Sequence, residues 1–235
     1  MKAAINRWII RNASAFLPLR REITAILDWL APVAESYSQS EEDRLVSQQR
    51  FEASPLTHLY VDVGANHPTR ISNTYLFYRK GYHGLVVEPN VSYAPLYRRY
   101  RPRDIFFPIG CATHPQLLPF YHSADGSVLN SFSSERKSGA VRVDILPVFP
   151  LDDLLPHVGS HRILLLSIDV EGMDIEVLRS GPFLLAKTEF VVLECPVIAN
   201  TADTFLIAQG FTFLHRTQHN NIYRRSKGLG GCGLL

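Results

Sequence analysis

The apolar positions of this chain change their spacing near residue 56. Before it they recur every three or four residues. Ile5, Trp8, Ile9, Ala13, Phe16 and Leu17 form one stripe, and Ile23, Ile26, Leu27 and Leu30 form a second. That is the period of amphipathic helices with one face on a core. The polar stretch SYSQSEED breaks the pattern and offers a serine cap ahead of Glu41. After residue 56 the apolar residues come in short continuous runs: LYVDVG, GLVVEPN, DIFFPIG, ILLLSIDVEG and FVVLECP. Continuous runs belong to strands covered on both faces, and their alternation with helical segments predicts a parallel, doubly wound α/β sheet. FTFLHRT and NIYRR flank QHN, which predicts an antiparallel C-terminal hairpin closing that sheet. The division that follows is an N-terminal helical cap (1–55), an α/β domain (56–226) and a glycine-rich, frayed tail (227–235).

Composition narrows the function classes. A chain of 235 residues, 46% of them hydrophobic, suits one full domain with elaborations. The net charge of +2 gives no whole-molecule case for nucleic acid. The basic run YRRYRPR (97–103) follows a predicted helix, where cations suit the C-terminal dipole, and it reads as a solvated face. No apolar run approaches the roughly 20 residues that span a bilayer. The basic N-terminus has no acid before Glu22, which leaves a transit peptide as a formal alternative to a packed helix. Cys111, Cys195 and Cys232 include no CxxC pair. That argues against a disulfide framework or zinc knuckle and fits a reducing, cytoplasmic compartment.

The candidate chemistry begins at YVDVGANHPTRISN, residues 60–73. In doubly wound sheets ligands bind outside the carboxyl ends of the strands. Gly64 and Ala65 keep the turn after the first strand small, and Ser72 is placed to cap the next helix. A pyrophosphate cradle would need G-x-G-x-x-G, whereas this loop has one glycine, with Asp62 before it. The acid repels phosphate and suits a cation. The second strand ends on Glu88, placed to accept ribose hydroxyls. A nucleoside carrying a positive charge, S-adenosylmethionine, meets both conditions. A nicotinamide-dependent oxidoreductase is the alternative from another class, and the missing glycines count against it. A non-catalytic cofactor-binding protein of the same fold is the other.

IDVEGMDIEVLRSG (168–181), with DVGAN and VVEPN, resembles the FkbM-type family of S-adenosylmethionine-dependent methyltransferases over about residues 56–225. The resemblance implies a Rossmann-like class I methyltransferase fold. It also implies a cofactor site at Asp62, Gly64, Ala65, Asn66, Ser72, Asn73, Glu88 and Pro89. Asp174 departs from the family's usual glutamate, and NHPTRISNTYLFY is longer than its usual turn. The implied reaction is O-methylation of a small-molecule acceptor, a hydroxyl of a sugar or specialised metabolite, without nucleic acid or a membrane span. An oligomer is left open.

With strands in the order 3-2-1-4-5, Asp169 ends the fourth and Glu194 the fifth, and Glu171 lies two residues beyond Asp169. These three carboxylates are the candidate catalytic group, as a base or around a divalent cation such as Mg²⁺ held by Asp169 and Glu194. The competing role for Glu171 is to cap the following helix. Cys111 lines the adenine pocket or is a small core residue. His67 beside the cofactor loop reads as structural, and His215 and His219 as lying across a hairpin. DGSVLNSFSSERK (125–137) is a candidate acceptor-binding lid.

Overall fold

The computed structural model describes residues 22, 23, 25–27, 29–123, 130–194 and 199–226. The predicted stripe at residues 5–17, Cys195, Cys232 and the tail lie outside them. The apolar runs form the predicted strands: β1 (His58–Val63), β2 (Gly84–Val87), β3 (Ile105–Phe107), β7 (Arg162–Ile168) and β8 (Thr188–Glu194). The hairpin is β9 (Phe211–Arg216) and β10 (Asn220–Arg225). These seven make one sheet in the order β3-β2-β1-β7-β8-β10-β9. The first five strands run parallel, and β10 is antiparallel to both of its neighbours.

Side-chain alternation explains why both faces are apolar. Leu59, Val61 and Val63 of β1 point to one core with Ile168, Val191 and Leu193. That core is covered by helices α5 (Asp174–Arg179), α6 (Pro182–Ala186) and α7 (Ala199–Ala208). Tyr60, Leu165, Phe190 and Val192 point to the other core, under α2 (Tyr75–Arg79) and Val46 of α1 (Glu42–Ser47). Helix α3 (Ala94–Tyr100) covers Val86 on a third cluster with Ala25. Helix α1 starts after Glu41, which takes a left-handed cap conformation and makes no side-chain cap bond, so Ser40 is not its cap.

Two features differ from the sequence expectation. Between β3 and β7 the chain builds a second sheet, β4 (Gly110–Cys111), β5 (Gln116–Ser123) and β6 (Ala140–Phe149), in the order β4-β6-β5, followed by the short helix α4 (Leu155–Val158). The segment read as a loop directly after the third strand therefore joins β5 to β6. Pro119 interrupts β5 and Pro147 interrupts β6, and proline within a run argues against a strand, which hid them. YRRYRPR is also not one solvated face. Arg98 and Arg99 are exposed, but Tyr97, Tyr100 and Arg101 are buried.

Candidate functional site

The register of the main sheet brings the predicted acids together. Val63 pairs with Ile168, and Ile168 with Leu193, so Asp169 and Glu194 leave the sheet side by side next to the β1 turn. The Asp169 amide also donates to the Val63 carbonyl at 3.0 Å. Glu171 turns back to join them through a left-handed backbone, φ 56°. One ligand atom from each of Asp169, Glu171 and Glu194 lies within 4.8 Å of the others. All three are half-buried. Burial pushes the Asp169 carboxyl well above the ordinary range, and the nearby charges of Glu194, Asp174, Glu171 and Asp62 push the same way. A carboxylate held near others with little solvent favours its protonated form or a bound cation.

The Glu171 turn has its own supports. Asp174 opens α5 and accepts from the Val170 amide at 3.0 Å and the Gly172 amide at 3.2 Å. The shorter acid at this position still spans the turn. Ser131, from the segment between β5 and β6, donates to the Glu171 carbonyl at 2.8 Å. Ser131 is tied to the second sheet by a bridge to Tyr121. Glu171 is therefore the gripped residue of this turn, while Asp174 bonds its amides. Ser131 falls in the stretch read as an acceptor-binding lid, but its bond had no local signal, because the partner is 40 residues away.

The β1 turn is built for close approach. Gly64 has φ 78°, and a β-carbon there would overlap the Asp169 carbonyl oxygen. The Gly64 and Ala65 amides donate to the Val87 carbonyl. Ala65 is buried against α3, and its carbonyl accepts from the Tyr97 hydroxyl at 3.2 Å. Asn66 has φ 50°, and its amide donates to Glu88 at 2.8 Å. The other Glu88 oxygen accepts from the Asn90 amide at 2.7 Å. Both oxygens of the carboxylate that ends β2 are thus fixed by backbone, with the half-buried Pro89 between Glu88 and Asn90.

The remaining predicted residues face inward. Asp62 is 4% exposed and accepts from Thr74; burial raises its carboxyl above the ordinary range, against the pull of Arg101. Ser72 is buried, and its hydroxyl accepts from the Tyr75 amide at 3.2 Å, but the N-cap position of α2 is Thr74, without a side-chain cap bond, so Ser72 precedes the cap. Asn73 donates to the Ser167 hydroxyl at 3.0 Å, joining the turn to β7. Cys111 packs in the first core, and burial pushes its thiol up to about 12. The Thr69 amide donates to the His67 ring; His215 lies in β9, whereas His219 lies in the turn before β10 and not across the hairpin from it. Of the lid, residues 124–129 lie outside the described ones; Ser131 and Ser133 lie against the Glu171 turn.

Arg101 organises this inner side, and the sequence reading missed it. Its five donors reach the Asp104 carboxylate (2.6 Å), the Pro68 carbonyl (3.2 Å), and the Ser72 (3.4 Å), Tyr60 (3.0 Å) and Thr74 (3.0 Å) hydroxyls. A guanidinium has five N–H donors, so each is used. The rings of Tyr60, Tyr78 and Tyr97 surround it at 5.2–5.5 Å. Burial opposes the charge, but Asp104, Tyr60, Tyr97 and Asp62 outweigh it and hold the group above its ordinary range. The acid at i+3 in RPRD was the available sequence signal.

A separate cleft of about 770 Å³ opens at the amino-terminal edge of the sheet, between His58, Arg162, Glu189 and Arg224. It shares no residue with the acidic cluster.

Comparisons with known proteins agree with the fold. The family described as Methyltransferase FkbM domain matches residues 62–222. Among solved structures, a methyltransferase FkbM from Methylobacillus flagellatus KT is similar in fold, with a TM-score of 0.52 at 15% identity. The match covers 80% of this chain and 48% of that one, so this chain spans about half the length of that protein. No curated protein matches significantly. The family match runs from the acid of the β1 strand into β10 and contains the three-carboxylate cluster, and the chain belongs to the FkbM methyltransferase family.

Proposed function

We propose that the protein is an S-adenosylmethionine-dependent O-methyltransferase acting on a hydroxyl of a sugar or specialised metabolite. The observation that carries this is the convergence of Asp169, Glu171 and Glu194 beside the β1 turn. An alcohol is a weak nucleophile, and a carboxylate or a cation at this point can take its proton or lower its pKa.

The residues present fit the cofactor. The close packing at Gly64 keeps the β1 turn tight against β7. Glu88 is fixed at the tip of β2 by two amides, and a carboxylate oxygen still has lone-pair capacity for ribose hydroxyls. No run of bare amides offers itself to a pyrophosphate among the described residues of this turn, which favours this reading over a nicotinamide enzyme. When bound, the cofactor supplies an electrophilic methyl group. Asp169 is the group to hold or accept the acceptor proton, Glu88 to orient the nucleoside, and Ser131 to fix the Glu171 turn. Asn66, Asn73 and Pro89 are the further candidates for binding the cofactor.

The three oxygens also suit a hard divalent cation such as Mg²⁺, with Asp169 and Glu194 as ligands and Glu171 as a third. The test is methyl transfer from labelled S-adenosylmethionine to a panel of hydroxylated acceptors, before and after chelation. Loss of transfer with EDTA and recovery with Mg²⁺ or Mn²⁺ is the expected result. Full activity after exhaustive chelation leaves Asp169 as a plain base. Calorimetry with S-adenosylhomocysteine should read a micromolar affinity, about −8 kcal/mol; tight NAD binding with no such signal would overturn the reading.

A further inference from the structure

We infer that the cleft at the amino-terminal edge of the sheet is a second ligand site, which binds the carboxylate of a small apolar acid on Arg162. Its walls come from the starts of β1, β7 and β8, from the far end of β10, and from residues 49–53. The β1–β7 register slips at Leu59/Tyr60, so Leu164 has no partner on β1, and it forms part of the cleft wall. A bulge of this kind bends a strand and re-aims its side chains. The volume of about 770 Å³ is that of a small-molecule site.

The charges that line the cleft are unequally used. They are three arginines and two glutamates. Arg224 is spent on the protein. Its Nε donates to Glu189 at 3.2 Å, its Nη2 to the Arg50 carbonyl at 2.8 Å, and its guanidinium lies over the Phe190 ring at 5.3 Å. Arg50 and Glu52 are both exposed and opposite in charge. Arg162 is the surplus cation. It is exposed, and its guanidinium has no hydrogen bond or ion pair with any described residue.

His58 adds a second donor. Register sets it opposite Arg162, and it lines the same cleft. The Ser54 amide donates to its Nδ1 at 3.4 Å, which puts the proton of the neutral ring on Nε2. Burial, and then the charge of Arg162, hold this ring below its ordinary range, so it is neutral near pH 7. Among the described residues Nε2 has no hydrogen-bond partner. A carboxylate has two oxygens, enough for the guanidinium fork and the imidazole N–H together.

The surplus of one positive charge selects a monoanion. A phosphate dianion would meet the same single free cation and the two glutamates as well. Phe51 and Leu164 give apolar contact to the body of the acid. The site is independent of the proposed methyl transfer. His58 and Arg162 stand at the opposite ends of β1 and β7 from Val63 and Ile168, which is roughly 15–20 Å of strand.

The experiment is titration of the full chain with benzoate, with benzamide and phenyl phosphate beside it. Benzoate should bind with a dissociation constant of about 1 mM, and the uncharged benzamide at least tenfold more weakly. Arg162→Gln should weaken benzoate about tenfold or more, with a parental circular dichroism melt. Asp169→Asn should bind benzoate as the parent does, because the acidic cluster lies at the other end of the strands. In the parent, benzoate should shift the backbone amide resonances of His58 and Arg162 and leave those of Gly64 and Asp169 in place. No benzoate binding at about ten times the expected constant overturns the proposal, and so does equal binding by Arg162→Gln. Benzamide binding as well as benzoate, or phenyl phosphate binding more tightly, overturns the assigned ligand class. Shifts at Gly64 and Asp169 in place of His58 and Arg162 would move the acid to the methyl-transfer site and sink the second one.

Discussion

Gly64 lies so close to Asp169 that a β-carbon added to it would overlap the Asp169 carbonyl oxygen. The turn that ends β1 and the acid that follows β7 are thus packed as one unit. Gly64→Ala meets two obstacles at once, the overlap and φ 78°. It should cost about 2–4 kcal/mol of stability and separate the turn from Asp169. Chemical unfolding and calorimetric titration with S-adenosylhomocysteine check this. An alanine variant with parental stability and affinity would show that the turn yields freely.

Glu88 holds two backbone amides and, on the proposed reading, the ribose. Glu88→Ala should weaken cofactor affinity by about 2–3 kcal/mol, roughly 30- to 150-fold. The turnover of a saturated enzyme should change far less, because Glu88 is remote from the transferring methyl. A mutant that loses turnover at saturation but keeps its affinity would assign Glu88 a different role.

Asp169 should make the metal-free protein less stable as pH rises. Its folded-state pKa is raised by burial and by Glu194, so the native state keeps a proton that the unfolded chain releases. Stability therefore falls from the ordinary carboxylate range upward, until pH passes the folded pKa. Asp169→Asn removes that slope and should stabilise the metal-free protein near neutrality by roughly 0.5–2 kcal/mol. The same substitution should lower turnover about 10²-fold or more. Thermal melts against pH in EDTA, beside activity assays, separate the two effects. An unchanged pH slope would mean that Asp169 is ionised in the folded protein.

Arg101→Met should destabilise the fold by about 3–5 kcal/mol, since it strands the Asp104 carboxylate in the interior. Adding Asp104→Leu should recover much of that loss, because no buried charge then lacks its partner. Denaturant titration of the two singles and the double measures the coupling. Additive losses would mean that Asp104 is satisfied without Arg101.

The sequence by itself determined the strands of the main sheet, though not the second sheet of β4, β5 and β6. Continuous apolar runs ended on Glu88, Asp169 and Glu194, and a strand buried on both faces leaves only its end free to carry chemistry, whereas Asp62 lies inside β1 and faces inward. The hairpin was legible too, since turns are local. What tertiary structure decided was pairing at long range. Register set Asp169 beside Glu194, and a left-handed turn brought Glu171 to them. Ser131 gained its partner from 40 residues away. Arg101 was misread because an arginine's burial depends on whether five acceptors and three rings can be gathered around it. Here they come from residues 60–104, and spacing along the chain does not encode that meeting.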